Sequence, residues 1–134
     1  MNGLTRAMRA FLAEPRFGVL ATVGTTGAPR QTVMWFLLEG DEILFNTARG
    51  RRKPEHLARE PRVSLIVEDG YRYVGVSGTV RLIEDRETTQ GDIRRIAEHY
   101  QRDPSLLRPM LERFATQDRL SYRFRIGRVI SNGF

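Results

Sequence analysis

Between Phe17 and Leu82 the chain runs as a series of short stretches with a period of two, most of them joined by tight turns. A period of two places successive side chains on opposite faces of a strand, and turns this short leave no room for crossover helices between parallel neighbours. The strands must therefore pair antiparallel. In the first, Phe17, Val19, Ala21 and Val23 point one way and Leu20 and Thr22 the other. Gly24-Thr25-Thr26-Gly27-Ala28-Pro29 turns the chain, and Arg30 to Leu38 reads as a second, longer strand. Its apolar run Val33-Met34-Trp35-Phe36-Leu37-Leu38 suggests cover on both faces, at least in part. Glu39-Gly40-Asp41 leads into a third strand, Glu42-Ile43-Leu44-Phe45.

Val63, Leu65 and Val67 alternate with Ser64 and Ile66 in a fourth strand, and Glu68-Asp69-Gly70 is a hairpin signal. In the fifth, Val74 and Val76 are interrupted by Gly75 and Gly78, which mark a bulge, a barrel corner or a close backbone approach. Ser121 to Ile130 gives a sixth strand with Arg123 and Arg125 on its outer face. Helical spacing occurs in three places: Leu4, Ala7, Met8 and Phe11; Ile93, Ile96, Ala97 and Tyr100 behind an Asp85 cap; and Leu107, Met110, Leu111 and Phe114 behind Asp103-Pro104. The class is mainly β with flanking helices. A six-stranded antiparallel barrel with helices at its mouth is expected, as one domain over residues 1–134.

The third strand runs into Asn46-Thr47-Ala48-Arg49-Gly50-Arg51-Arg52-Lys53-Pro54, where Pro54 can open a helix. Uncapped amides and the positive end of a helix dipole would then share a turn with four cationic side chains, Arg49, Arg51, Arg52 and Lys53. That suits a phosphate, although short basic turns are also common as solvated faces. Lys53 is the one lysine among 22 basic residues, and the net charge of +6 favours an anionic partner, either nucleic acid or a phosphorylated small molecule. The absence of Cys excludes disulfides and thiol chemistry, and two scattered histidines make no metal centre. No apolar run approaches the roughly 20 residues that span a bilayer, and no signal-peptide core is present, so a cytoplasmic location is expected.

The order of these motifs resembles the FMN-binding split-barrel family related to pyridoxamine 5'-phosphate oxidase. The matching pieces are Phe17-Gly18-Val19-Leu20-Ala21-Thr22, Gly27-Ala28-Pro29-Arg30, Asn46-Thr47, Arg52-Lys53 ahead of Leu57, Arg59-Glu60-Pro61-Arg62-Val63-Ser64-Leu65 and Gly78-Thr79-Val80. Within that family the Arg59 to Val67 segment is most similar to the branch that uses the deazaflavin coenzyme F-420.

The resemblance implies a homodimer with cofactor sites between subunits and a small-molecule substrate. It implies that Arg51, Arg52 and Lys53 hold the cofactor phosphate, with Asn46 and Thr47 at the strand end. The ring is expected along Thr32, Val33, Met34 and Trp35, and Tyr71 of the other subunit is expected to add an aromatic wall. Hydride transfer to a small planar or conjugated acceptor is then carried by the cofactor, so no catalytic side chain is required. Coenzyme F-420 is favoured over FMN because its acidic tail would use surplus arginines such as Arg49 and Arg51. Vitamin B6 oxidation is not expected, since the substrate-phosphate residues of true pyridoxamine 5'-phosphate oxidases find no match. Two other functions stay open: a basic nucleic-acid-binding barrel using Arg123 and Arg125 with exposed Tyr122 or Phe124, which is less favoured, and a cofactor carrier without turnover.

Overall fold

The computed structural model describes residues 3–134 and is a mainly β antiparallel split barrel with flanking helices. In chain order the elements are α1 (Arg6–Ala13), β1 (Gly18–Val23), β2 (Pro29–Met34), β3 (Leu37–Glu39), β4 (Glu42–Ala48), α2 (Arg52–Arg59), β5 (Arg62–Asp69), β6 (Arg72–Ile83), α3 (Arg86–Tyr100), α4 (Pro104–Ala115), β7 (Arg119–Arg125) and β8 (Arg128–Asn132). The sheet runs β2-β1-β5-β6-β7-β4-β3, with β8 also on β6. Among the described residues there are eight strands rather than six, because two of the expected strands are broken.

Each break has a local cause. The expected strand Arg30–Leu38 stops at Met34 because Phe36 turns inward to 1% exposure. The Phe36 N–H then donates to the Tyr100 hydroxyl at 3.2 Å, and the Phe36 carbonyl accepts from the same hydroxyl at 3.1 Å. Leaving the ladder therefore orphans neither group. The expected strand Ser121–Ile130 breaks at Ile126 and Gly127, whose amides donate to the carbonyls of Asp41 and Ser77 at 2.9 and 2.8 Å. β8 continues along Tyr73–Ser77, whereas β7 pairs with Val80–Ile83.

The twelve-residue β6 is thus the seam between the two halves of the barrel. At the change of partner stands Gly78. A Cβ there would meet the backbone oxygen of Arg125 and come within 2.8 Å of the Phe124 ring. Close backbone approach is what the glycine permits.

The core lies inside the curl, where Leu20, Phe45, Leu65, Val74 and Phe124 are sealed by Phe11 and Leu12 of α1. Thr5 caps α1 by accepting from the Met8 amide at 3.2 Å. β2 departs from the expected cover on both faces: it is an edge strand, and Val33 is 63% exposed. α2 begins at Arg52, so Pro54 stands third in the helix rather than first. It is still within the turn whose amides have no helical partner, and its missing N–H costs nothing there. The α4 stripe, expected to pack, is half-buried against α3 and contributes no fully buried residue.

A pair of glycine substitutions checks these placements by thermal unfolding. Gly78→Ala should destabilise by about 1 to 3 kcal/mol through overpacking at the seam. Gly91→Ala, in mid-α3 with no atom within 4 Å of the added methyl, should stabilise by up to about 1 kcal/mol. Melting temperatures that move in the same direction would contradict the seam.

Candidate functional site

β4 ends at Ala48, and Gly50, at a φ of 91°, lets the chain swing directly into the first turn of α2. The swing is tied down by Arg49. Its amide donates to the Asp118 carbonyl, and its guanidinium pairs with Asp118 at 2.7 Å and Glu84 at 2.9 Å. Arg49 is therefore committed to structure and is not surplus charge for a ligand. Arg51, Arg52 and Lys53 are different: among the described residues none of them has a carboxylate partner.

Beside this turn lies a groove of about 430 Å³. Thr32, Val33, Met34 and Trp35 line it from β2 and the residue after it, together with Phe17. Asn46, Thr47 and Arg119 line it from β4 and β7, with Ile93, Ile96 and Phe114 from the helices, and Arg51 and Lys53 complete it. Eight of the ten expected residues thus meet in one place. Arg52 falls in an adjoining depression with Thr22, Arg30 and His56, and Lys53 borders both. Tyr71, 93% exposed at the β5–β6 turn, does not reach the groove of its own chain.

The charge in the groove is one-sided. Its lining contains Arg51, Lys53 and Arg119 and no carboxylate. Burial and then the neighbouring Arg51 push the Lys53 pKa below that of an ordinary lysine, and the same two causes in the same order lower Arg119 to about 10. Burial and like-charge repulsion both disfavour the charged forms here, and an anion in the groove would offset both. The N-cap position of α2, Arg51, makes no side-chain cap, which leaves the first-turn amides open as further donors. Glu55, the carboxylate of that turn, is exposed and lies outside the lining.

Asn46 reaches the groove with its amide already engaged. Its Nδ2 donates to the Thr89 carbonyl and to Ser121 Oγ, both at 3.0 Å, and its Oδ1 accepts from Arg119 Nε at 2.8 Å. It therefore orients Arg119. Ser121 in turn donates to Asp92 Oδ2 at 2.8 Å, and Asp92 Oδ1 accepts from Arg95. Arg119 was not visible as a site residue in the sequence, because it enters through β4–β7 pairing opposite Ala48. A residue 71 positions from Ala48 carries no local signal of that pairing.

The apolar end is held by an aromatic stack. Tyr100 lies parallel to Trp35, with centroids 5.1 Å apart at 11°, and stacks at 6.3 Å on Phe17. Its single hydroxyl proton is shared between the Arg16 carbonyl at 2.8 Å and the Phe36 carbonyl at 3.1 Å, and burial raises its pKa to about 12. It stays neutral and structural. Tyr100→Phe should cost about 1 to 3 kcal/mol, since the Phe36 amide loses its acceptor. Urea unfolding checks this, and an unchanged midpoint would mean that water replaces the hydroxyl.

Residues 4–130 match the family model described as pyridoxamine 5'-phosphate oxidase. A pyridoxine/pyridoxamine 5'-phosphate oxidase of Kineococcus radiotolerans is 32% identical over 84 residues, covering 61% of this chain and 38% of that protein. One from Cronobacter sakazakii is 42% identical over 65 residues, covering 47% of this chain and 29% of the relative. The matches span well under half the length of these curated relatives. Among solved structures, a conserved hypothetical protein of Mycobacterium tuberculosis has a TM-score of 0.81 at 28% identity, covering 98% of this chain and 86% of that one. An F-420 reductase gives 0.76 at 24% identity, covering 95% and 98%. A haem storage protein of Vibrio cholerae gives 0.74 at 19%, covering 98% and 96%, so the fold is shared by proteins of differing use.

Proposed function

Because the chain belongs to the pyridoxamine 5'-phosphate oxidase family, we propose that it is an oxidoreductase that binds reduced coenzyme F-420 in the groove and serves a small planar or conjugated acceptor. The observation that carries this reading is the set Arg51, Lys53 and Arg119 lining an otherwise largely apolar groove without a carboxylate. Such a set fits a ligand with a flat apolar ring and a strongly anionic end. FMN is the second reading, favoured by the curated relatives, which are named as oxidases of phosphorylated pyridoxine compounds.

When bound, the reduced cofactor supplies the chemistry, a hydride carrying two electrons. The chain does the rest. Lys53, Arg51 and the open α2 amides hold the phosphate, and Arg52 adds field from the adjoining depression. Thr32 to Trp35 would line the ring, and Phe17, Trp35 and Tyr100 would supply an apolar aromatic wall at its end. Among the described residues no carboxylate or histidine lines the groove, and the proton that follows the hydride comes from solvent.

The groove is completed by a second copy of the chain. Phe17 and Val33 beside the groove, and Ile66 and Ile130 on the outer face of the sheet, are all more than one third exposed. Large apolar side chains grouped in this way favour a partner. A homodimer would bury them and bring Tyr71 of the partner subunit toward the ring.

Titration of wild type and Lys53→Ala with coenzyme F-420 and with FMN tests the site. The variant should lose about 1.5 to 3 kcal/mol, roughly 10- to 150-fold, with its preferred cofactor. Equal affinities would remove Lys53 from the site, and tighter FMN binding by wild type would select the second reading. In sedimentation the protein should run as a dimer at micromolar concentration, and a monomer that binds cofactor fully would defeat the shared groove.

A further inference from the structure

We infer that Arg119 is a second anion-recognition point in the groove, reserved for a carboxylate that the ligand carries beside its phosphate. The inference rests on the proposed cofactor site and extends it to the part of the ligand that Lys53 and the α2 turn do not hold.

Arg119 is 5% exposed, yet it has no carboxylate partner among the described residues. Nε donates to Asn46 at 2.8 Å and Nη1 to Gln117 Oε1 at 2.7 Å. Nη2 makes no bond within the protein, although every fully buried side-chain polar atom among the described residues is satisfied. Nη2 is therefore the accessible part of the guanidinium, and the surface that Arg119 presents is that of the groove. An unpaired buried cation is costly in a protein interior, and here it is kept beside Arg51, which repels it.

The orientation is fixed from several sides. The Phe114 ring lies 4.8 Å from the guanidinium carbon, and Asn46 is itself anchored to the Thr89 carbonyl and to Ser121. Ser121 leans on Asp92, which is 4% exposed and bound to Arg95. A planar donor held this firmly is matched to a planar oxyanion, whereas Lys53 is a flexible point charge suited to a phosphate. Charge balance agrees. A phosphodiester brings one negative charge against three cations, Arg51, Lys53 and Arg119, so further anionic groups on the same ligand relieve the remainder. Since Arg49 is spent on Asp118 and Glu84, Arg119 takes the place of the surplus arginine that an acidic tail requires.

Calorimetric titration of the full chain tests this with coenzyme F-420 bearing its carboxylate tail and with the same deazaflavin cut back to its 5'-phosphate. R119M should weaken the tailed ligand by about 10-fold or more and change the truncated one by less than about 2-fold. R119K, which keeps the charge and loses the fork, should fall between, and this separates recognition from a folding defect. Asn46→Ala should follow R119K, because it frees the guanidinium without removing it. Equal loss of both ligands in R119M would assign Arg119 to the phosphate, and no loss of either would leave it a structural cation; both overturn the inference. If wild type binds neither deazaflavin, the cofactor reading fails by itself. Thermal shifts with citrate and with inorganic phosphate then decide for Arg119: a citrate shift that is lost in R119M while the phosphate shift persists supports it, and unchanged shifts refute it.

Discussion

The double pairing of β6 is the constraint on which the rest of the architecture depends. One strand carries β5 along its first part, β8 beside the same stretch and β7 beyond it, and the exchange occurs where Gly78 lets the Arg125 backbone come close. Since β4 pairs with β7 and β3, its position is inherited from that exchange. So is the site. Ala48 lies opposite Arg119 because the β4–β7 register puts it there, and the basic turn that follows Ala48 is thereby brought beside a buried guanidinium.

That geometry concentrates positive charge where the protein offers no compensation. Several cations away from the groove are paired: Arg81 with Glu42, Arg123 with Glu39 and Glu42, and Arg49 with Glu84 and Asp118. Glu39 shows the balance. Burial pushes its pKa up, and hydrogen bonds from Arg95 and Arg123 outweigh that and bring it below the ordinary carboxylate value. In the groove the opposite holds, since its lining contains Arg51, Lys53 and Arg119 and no carboxylate. A structure keeps such an arrangement at a cost in stability, and a bound anion removes the cost.

Much of this was legible in the chain. Period two between Phe17 and Leu82 gave the antiparallel sheet, Asp85 and Asp103 cap α3 and α4 as their positions suggested, and the basic turn sits beside the groove. The failures share one cause, which is that long-range contacts override local pattern. Arg30 to Leu38 reads as a continuous strand until Tyr100, 64 residues beyond Phe36, takes over the Phe36 backbone groups. Arg49 reads in sequence as surplus charge for a ligand, and only the arrival of Asp118 and Glu84 commits it to structure. Asn46 lines the groove as expected, and its amide also holds Arg119, which no local pattern marks. Likewise the apolar run of β2 reads as covered on both faces, yet β2 is an edge strand and Val33 is 63% exposed.

The most direct measurement is a crystal structure of the full chain with its tighter-binding cofactor. The phosphate should lie within hydrogen-bonding distance of Lys53 Nζ and the first-turn amides of α2, with the ring along Thr32 to Trp35. A cofactor seated instead on the outer face of the sheet around Ile66 and Ile130, with the basic turn facing solvent, would contradict the assignment of this groove.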